Sequence, residues 1–199
     1  DSFSDGGALA TVDDALNQAE RFIEDGADVI DVGGESTRPG SERVPADVEI
    51  GRVVPVIEAI SRRFDVAISI DTSKSEVAAA AMEVGAEIIN DISGLRFDAA
   101  IADVAAATNA GLVLMHSCGE FETMHSKPPV DDIFAEVSVD LKRSISSAKT
   151  AGVADANRES LATLDGVLSG GGISGADAVL RGIEELRSVH QTVYEVEAN

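Results

Sequence analysis

The chain has 199 residues, with 36 acidic against 15 basic side chains and a formal net charge of −21. That sign speaks against non-specific nucleic-acid binding, no apolar run approaches the ~20 residues of a membrane span, and a single cysteine excludes an internal disulfide. The lone thiol, Cys118, suits a reducing cytoplasm, and the length suits one domain with a real core.

The opening, "DSFSDGG", has no methionine and no signal-peptide pattern, as in a chain cut at its front. It sets Ser2, Ser4 and Asp5 around Phe3, more polar groups than a helix start needs. Residues 11–25 carry Val12, Ala15, Leu16, Ala19, Phe22 and Ile23 at helical spacing, and Gly26 stops them. "ADVIDVG" (27–33) reads as a buried strand. It runs out into "GESTRPG", where a mere corner would need only the glycines and the proline. Glu35, Ser36, Thr37 and Arg38 are a surplus of hydrogen-bonding chemistry, the first mark of a site. Arg38, fixed beside Pro39, suits a phosphate or pyrophosphate clamp.

A second helix follows over 47–63, then the strand "VAISIDT" (66–72). In "DTSKSE", Ser73 is expected to cap the next helix, 75–84, with Glu76 completing a capping box. Asp71 then has no capping duty. A carboxylate facing a cavity there suits a flat heterocycle with adjacent N–H donors, held by two parallel hydrogen bonds. The strand "AEIINDI" (86–92) brings Asn90, whose amide can read the same edge or satisfy local turn amides. Asp91 is expected to accept backbone N–H groups. A helix over 99–108, the strand "GLVLMH" (111–116) and a helix over 130–151 complete the regular part. Met115 fits a ring face or core packing. His116, Cys118 and His125 lack the second cluster of a zinc site.

Strict β–α alternation predicts a parallel sheet with helical crossovers, either doubly wound or a (β/α)₈ barrel. Every strand ends in chemistry and no glycine-rich dinucleotide loop follows any of them, which favours the barrel. The acidic excess implies self-repulsion that salt screens, whether it reflects a salt-rich habitat or an ordinary acidic surface.

"DSFSDGG", "GADVIDVGGESTRPG", "SIDTSKSEVAAAAMEVGAEIINDISG" and "LVLMHSCGEF" together resemble dihydropteroate synthase, over residues 1 to about 157. The resemblance implies an α/β fold of the (β/α)₈ TIM-barrel type, whether or not the tail completes it. It implies that Asp71 and Asn90 bind a pterin ring, with Ile92 and Met115 lining it. Phe3, Ser4 and Asp5 in a first loop and Thr37 and Arg38 in a second would close over pyrophosphate and p-aminobenzoate. Asp5 and Arg38 would be catalytic. The implied reaction condenses 6-hydroxymethyl-7,8-dihydropterin pyrophosphate with p-aminobenzoate, with Mg²⁺ assisting the departing pyrophosphate. The metal's asparagine ligand would precede Asp1, so no metal ligand is assigned in this chain. A cytoplasmic homodimer is implied as well.

After Asn157 the sequence departs from that pattern: "D-P-G-x-G-F", "S-R-K-S" and "R-x-H" are absent. The division expected is therefore 1–157 as the barrel portion and 158–199 as an atypical segment, with a long amphipathic helix from about Gly175 to Val196. A pterin-binding barrel without turnover is the other reading. Both loop motifs favour the synthase.

Overall fold

The structure, a computed structural model, describes residues 11–37, 41–117, 119–121 and 132–154, and the backbone of 193–197. In chain order these form α1 (Val12–Glu24), β1 (Val29–Gly33), α2 (Ala46–Arg63), β2 (Ala67–Asp71), α3 (Ser75–Glu83), β3 (Ile88–Asp91), α4 (Ile101–Thr108), β4 (Gly111–Leu114), α5 (Ile133–Ala151) and β5 (Val193–Glu197). Thr11 caps α1 by accepting the Asp14 N–H at 3.2 Å, and Asp132 caps α5 by accepting that of Ala135 at 2.9 Å. α2 tolerates Pro55 because the ring sits on its exposed side, where the lost N–H bond and the displaced Gly51 carbonyl face water.

All strand pairs are parallel, in the order β4-β3-β2-β1-β5. From β1 to β4 each crossover moves one strand in the same direction, with no reversal. A doubly wound sheet would reverse and carry helices on both faces. Here α1 packs on α2, α2 on α3, α3 on α4 and α4 on α5, one layer of helices along one side. The fold is therefore the barrel type, seen as a partial (β/α)₈ wall.

Register sorts the strand residues by face. Ile30, Ile68 and Val32, Ile70, Ile89, Leu112 lie opposite one another and join the helices in the apolar core. The other face carries Asp31, Gly33, Ser69, Asp71, Asn90 and Val113. Val113, on β4, and Met115, just after it, are 41% and 45% exposed. That face is where a site has room.

Two expectations need correction. Val193–Glu197 is strand, so the helix expected through Val196 does not extend there. Tyr194 and Val196 alternate with Glu195 and Glu197, a period-two pattern, and β1 offered a free edge whose backbone groups pair from Val29↔Val193 to Gly33↔Glu197. The rest of that helix, and the division after residue 157, lie outside the described residues. Nor does Ser73 cap α3. The Ser75 N–H donates to Asp98 Oδ2 at 2.7 Å instead, a carboxylate being the stronger partner for a helix N-terminus.

Candidate functional site

Gly33, Asp71, Asn90 and Val113 are direct neighbours across four strands, so the Asp71 and Asn90 side chains leave one face about 4.8 Å apart. One rung deeper lies Asp31, buried, whose Oδ2 accepts the Asn90 Nδ2–H at 3.2 Å. That bond turns the Asn90 carbonyl away from Asp31 and leaves it as an acceptor. Burial pushes the Asp31 carboxyl above its ordinary value, only partly offset by hydrogen bonds from Ser69 and Asn90. Its Oδ1, buried, finds no hydrogen-bond partner among the described residues. The deep rung is thus a carboxylate that fixes an amide, and the upper rung presents a carboxylate and an amide side by side.

Gly34, just after the strand, is required by space. A Cβ on Gly34 would lie 2.8 Å from Val53 Cγ1 and 3.0 Å from Glu49 Cγ, against α2. A Cβ on Gly33 would reach 3.7 Å from Asp71 Oδ2, so a longer side chain would crowd that carboxylate.

The surplus chemistry of the next loop is partly structural. Glu35 Oε1 accepts the Val44 N–H at 2.5 Å and pairs with Lys74 Nζ at 2.8 Å. Lys74 also pairs with Glu49, whose other oxygen accepts the Thr72 hydroxyl at 2.8 Å. The side chains of Glu49, Glu35 and Lys74 are only 1%, 7% and 14% exposed, so this is an interior ion network joining the first loop neck, α2 and the end of β2. Sequence reading missed it, because a glutamate and a lysine in such segments ordinarily face solvent.

Asp91 behaves as expected. It points to the helix side, fully buried, and accepts the N–H groups of Ser93 at 2.8 Å and Leu95 at 2.7 Å. These bonds hold Leu95 at a φ of 65, a conformation that a branched side chain rarely adopts. Burial raises the Asp91 carboxyl, against the hydrogen bonds from Ser93 and Leu95. Ile92, half-buried, begins the turn after β3, and Met115 follows β4 with its N–H on the Asp91 carbonyl at 3.1 Å. Ile92 follows Asn90 by two residues, and Met115 follows Val113, the register partner of Asn90, by two. Thr37 is half-buried on the limb rising from β1. Phe3, Ser4, Asp5 and Arg38 lie outside the described residues, as do Cys118 and His125. His116 faces α5, its Nδ1 3.0 Å from Asp140 Oδ2. Among the described residues no three His, Cys, Asp or Glu side chains converge as a metal site requires.

Residues 1–193 match the family model described as "Pterin binding enzyme". The chain belongs to that family. Among relatives, it is 48% identical over 154 residues to the dihydropteroate synthase of Escherichia coli K12, covering 77% of this chain and 54% of that protein. The Yersinia pestis dihydropteroate synthase, crystallised with a sulfonamide drug complex, superposes with a TM-score of 0.76 at 35% identity, over 98% of this chain and 70% of that one. The Xanthomonas albilineans dihydropteroate synthase with 4-aminobenzoic acid gives 0.65 at 42% identity, over 76% and 53%. The chain spans about half the length of the curated relatives it matches. In this chain Asp71 and Asn90 are register partners at the ends of β2 and β3.

Proposed function

We propose that this chain is the pterin-reading part of a dihydropteroate synthase-type transferase. The observation that carries this is the Asp71–Asn90 rung, backed by Asp31, at the carboxyl ends of β2 and β3. Asp71 supplies a carboxylate for two adjacent N–H groups of a pterin, and Asn90 an acceptor locked in place by Asp31. Ile92 and Met115 offer apolar surface for the ring. Phe3 and Ser4, with Thr37, belong to the pyrophosphate and p-aminobenzoate loops in this reading, and Asp5 and Arg38 are the catalytic pair. The bond from the pterin methylene carbon to the pyrophosphate oxygen breaks, and pyrophosphate leaves with the bonding electrons. The arylamine nitrogen attacks that carbon and loses one proton to solvent. Arg38 would neutralise the departing anion, the kind of preorganised charge that contributes most in such a step. Mg²⁺ comes with the family resemblance, but the described residues do not fit it, and no step here runs through it.

A cytoplasmic homodimer completes the proposal. It rests on the resemblance and the single thiol, and among the described residues no helix is long and apolar enough to cross a membrane. The functional test is product formation from the pterin pyrophosphate and p-aminobenzoate, with an Arg38→Ala control. The aspartate, lysine and arginine–histidine contacts implied further along are not recognisable after Asn157. Each such loss costs about 10²–10³ in rate, so the 199-residue chain should bind pterin pyrophosphate and form little dihydropteroate. Robust turnover would mean that residues 158–199 supply those groups. Absence of pterin binding would sink the reading.

A further inference from the structure

The β1–α2 connection has a rising limb, 34–37, and a descending limb, 41–45. The limbs are stitched together: Val44 N–H donates to Glu35 Oε1 at 2.5 Å, and Ser41 Oγ to Ser36 Oγ at 3.1 Å. Arg52 holds the root through the Gly34 carbonyl at 2.8 Å. Arg43 reaches away from this knot. Its guanidinium carbon lies 5.3 Å from the Phe97 ring centroid and 5.4 Å from that of Phe121. Those rings belong to the connections after β3 and β4 and meet edge to face, with centroids 6.4 Å apart. Phe121 is buried and Phe97 half-buried, and Arg96 ties the same two connections by donating to the Ser117 carbonyl. Three strand-end connections thus converge on one guanidinium. A planar, weakly hydrated cation suits two ring faces in a way that a lysine ammonium does not.

We propose that Arg43 is a positioning residue. Resting on Phe97 and Phe121, it fixes the descending limb toward the ends of β3 and β4. Through the Ser41–Ser36 and Val44–Glu35 bonds it sets where Ser36 and Thr37 stand for the arylamine. The part concerning the arylamine rests on the proposed function, and the clamp itself does not. Pterin affinity should be spared, because strands β2 and β3 hold Asp71 and Asn90 independently of this limb.

The test compares the full chain with Arg43→Ala, Arg43→Lys and Phe97→Leu. Hydrogen exchange at the amides of 41–44 should quicken about five- to tenfold in Arg43→Ala and Phe97→Leu, with α1 and α3 unchanged and Arg43→Lys intermediate. In calorimetry, Arg43→Ala should keep wild-type affinity for 6-hydroxymethyl-7,8-dihydropterin, which lacks the pyrophosphate that this loop would meet. It should lose about tenfold for p-aminobenzoate titrated with inorganic pyrophosphate. Unchanged exchange in both Arg43→Ala and Phe97→Leu overturns the clamp, and equal loss of both ligands overturns the positioning role. A wild-type chain that binds neither ligand refutes the functional reading alone, and the exchange rates still decide the clamp.

Discussion

Lys74 sits between two buried carboxylates, and its removal leaves both without their cation. Breaking a buried ion network from one side costs about 3–5 kcal/mol, so Lys74→Met should lower the unfolding free energy by that order in a denaturant titration at neutral pH. A loss under ~1 kcal/mol would mean that the network is solvated. Asp31 makes the opposite case. Its folded-state carboxyl titrates above the unfolded value of 3.8, so the unfolded chain gives up this proton first as pH rises. Stability linked to Asp31 is therefore present below that value and lost as pH climbs through the folded one. Asp31→Asn keeps an acceptor for Asn90 and escapes the penalty. Its melting temperature relative to wild type should rise as pH climbs from the unfolded value of 3.8 through the folded one. A constant difference across that range would contradict the assignment. The placement of Asp71 and Asn90 at neighbouring strand ends was legible in the sequence, because the apolar runs mark where each strand stops. Glu49 was not, since its partner lies 25 residues away in sequence and an amphipathic helix shows nothing special at that position.

Elements were legible where periodicity was strong. The four strands from "ADVIDVG" to "GLVLMH" and the five helices before, between and after them lie within a few residues of the sequence reading. The failures came where a distant partner decided the outcome. β5 exists because β1 had an edge to share, and a mixed pattern such as "VYEVE" cannot announce that. The α3 start is a second case, since Asp98 comes from the next connection. Asp98 accepts from Ser75 N at 2.7 Å and Ala100 N at 3.0 Å. Burial alone would raise its carboxyl, but hydrogen bonds from the Ser75 side chain and from these two amides outweigh that and lower it. The stability it contributes is thus present above the unfolded value of 3.8 and lost as pH falls through the folded one. Asp98→Ala should cost about 1 kcal/mol at pH 7, and the cost should shrink toward acid pH in melts of the two proteins. A cost independent of pH would mean that the cap is not charge-assisted.

At the scale of the whole molecule, a net charge of −21 on 199 residues adds self-repulsion that salt screens. The melting temperature should climb as KCl rises from low to molar concentration, and a flat response would show that the charges are well dispersed. The account's central claim is that the Asp71–Asn90 rung, at the carboxyl ends of β2 and β3, takes a pterin. A calorimetric titration with 6-hydroxymethyl-7,8-dihydropterin pyrophosphate, run on wild type and on Asp71→Ala, tests this most directly. Charge-assisted hydrogen bonds contribute about 1.5–3 kcal/mol each, so Asp71→Ala should keep its fold and lose more than about tenfold in affinity. A folded Asp71→Ala chain with wild-type affinity would contradict the claim.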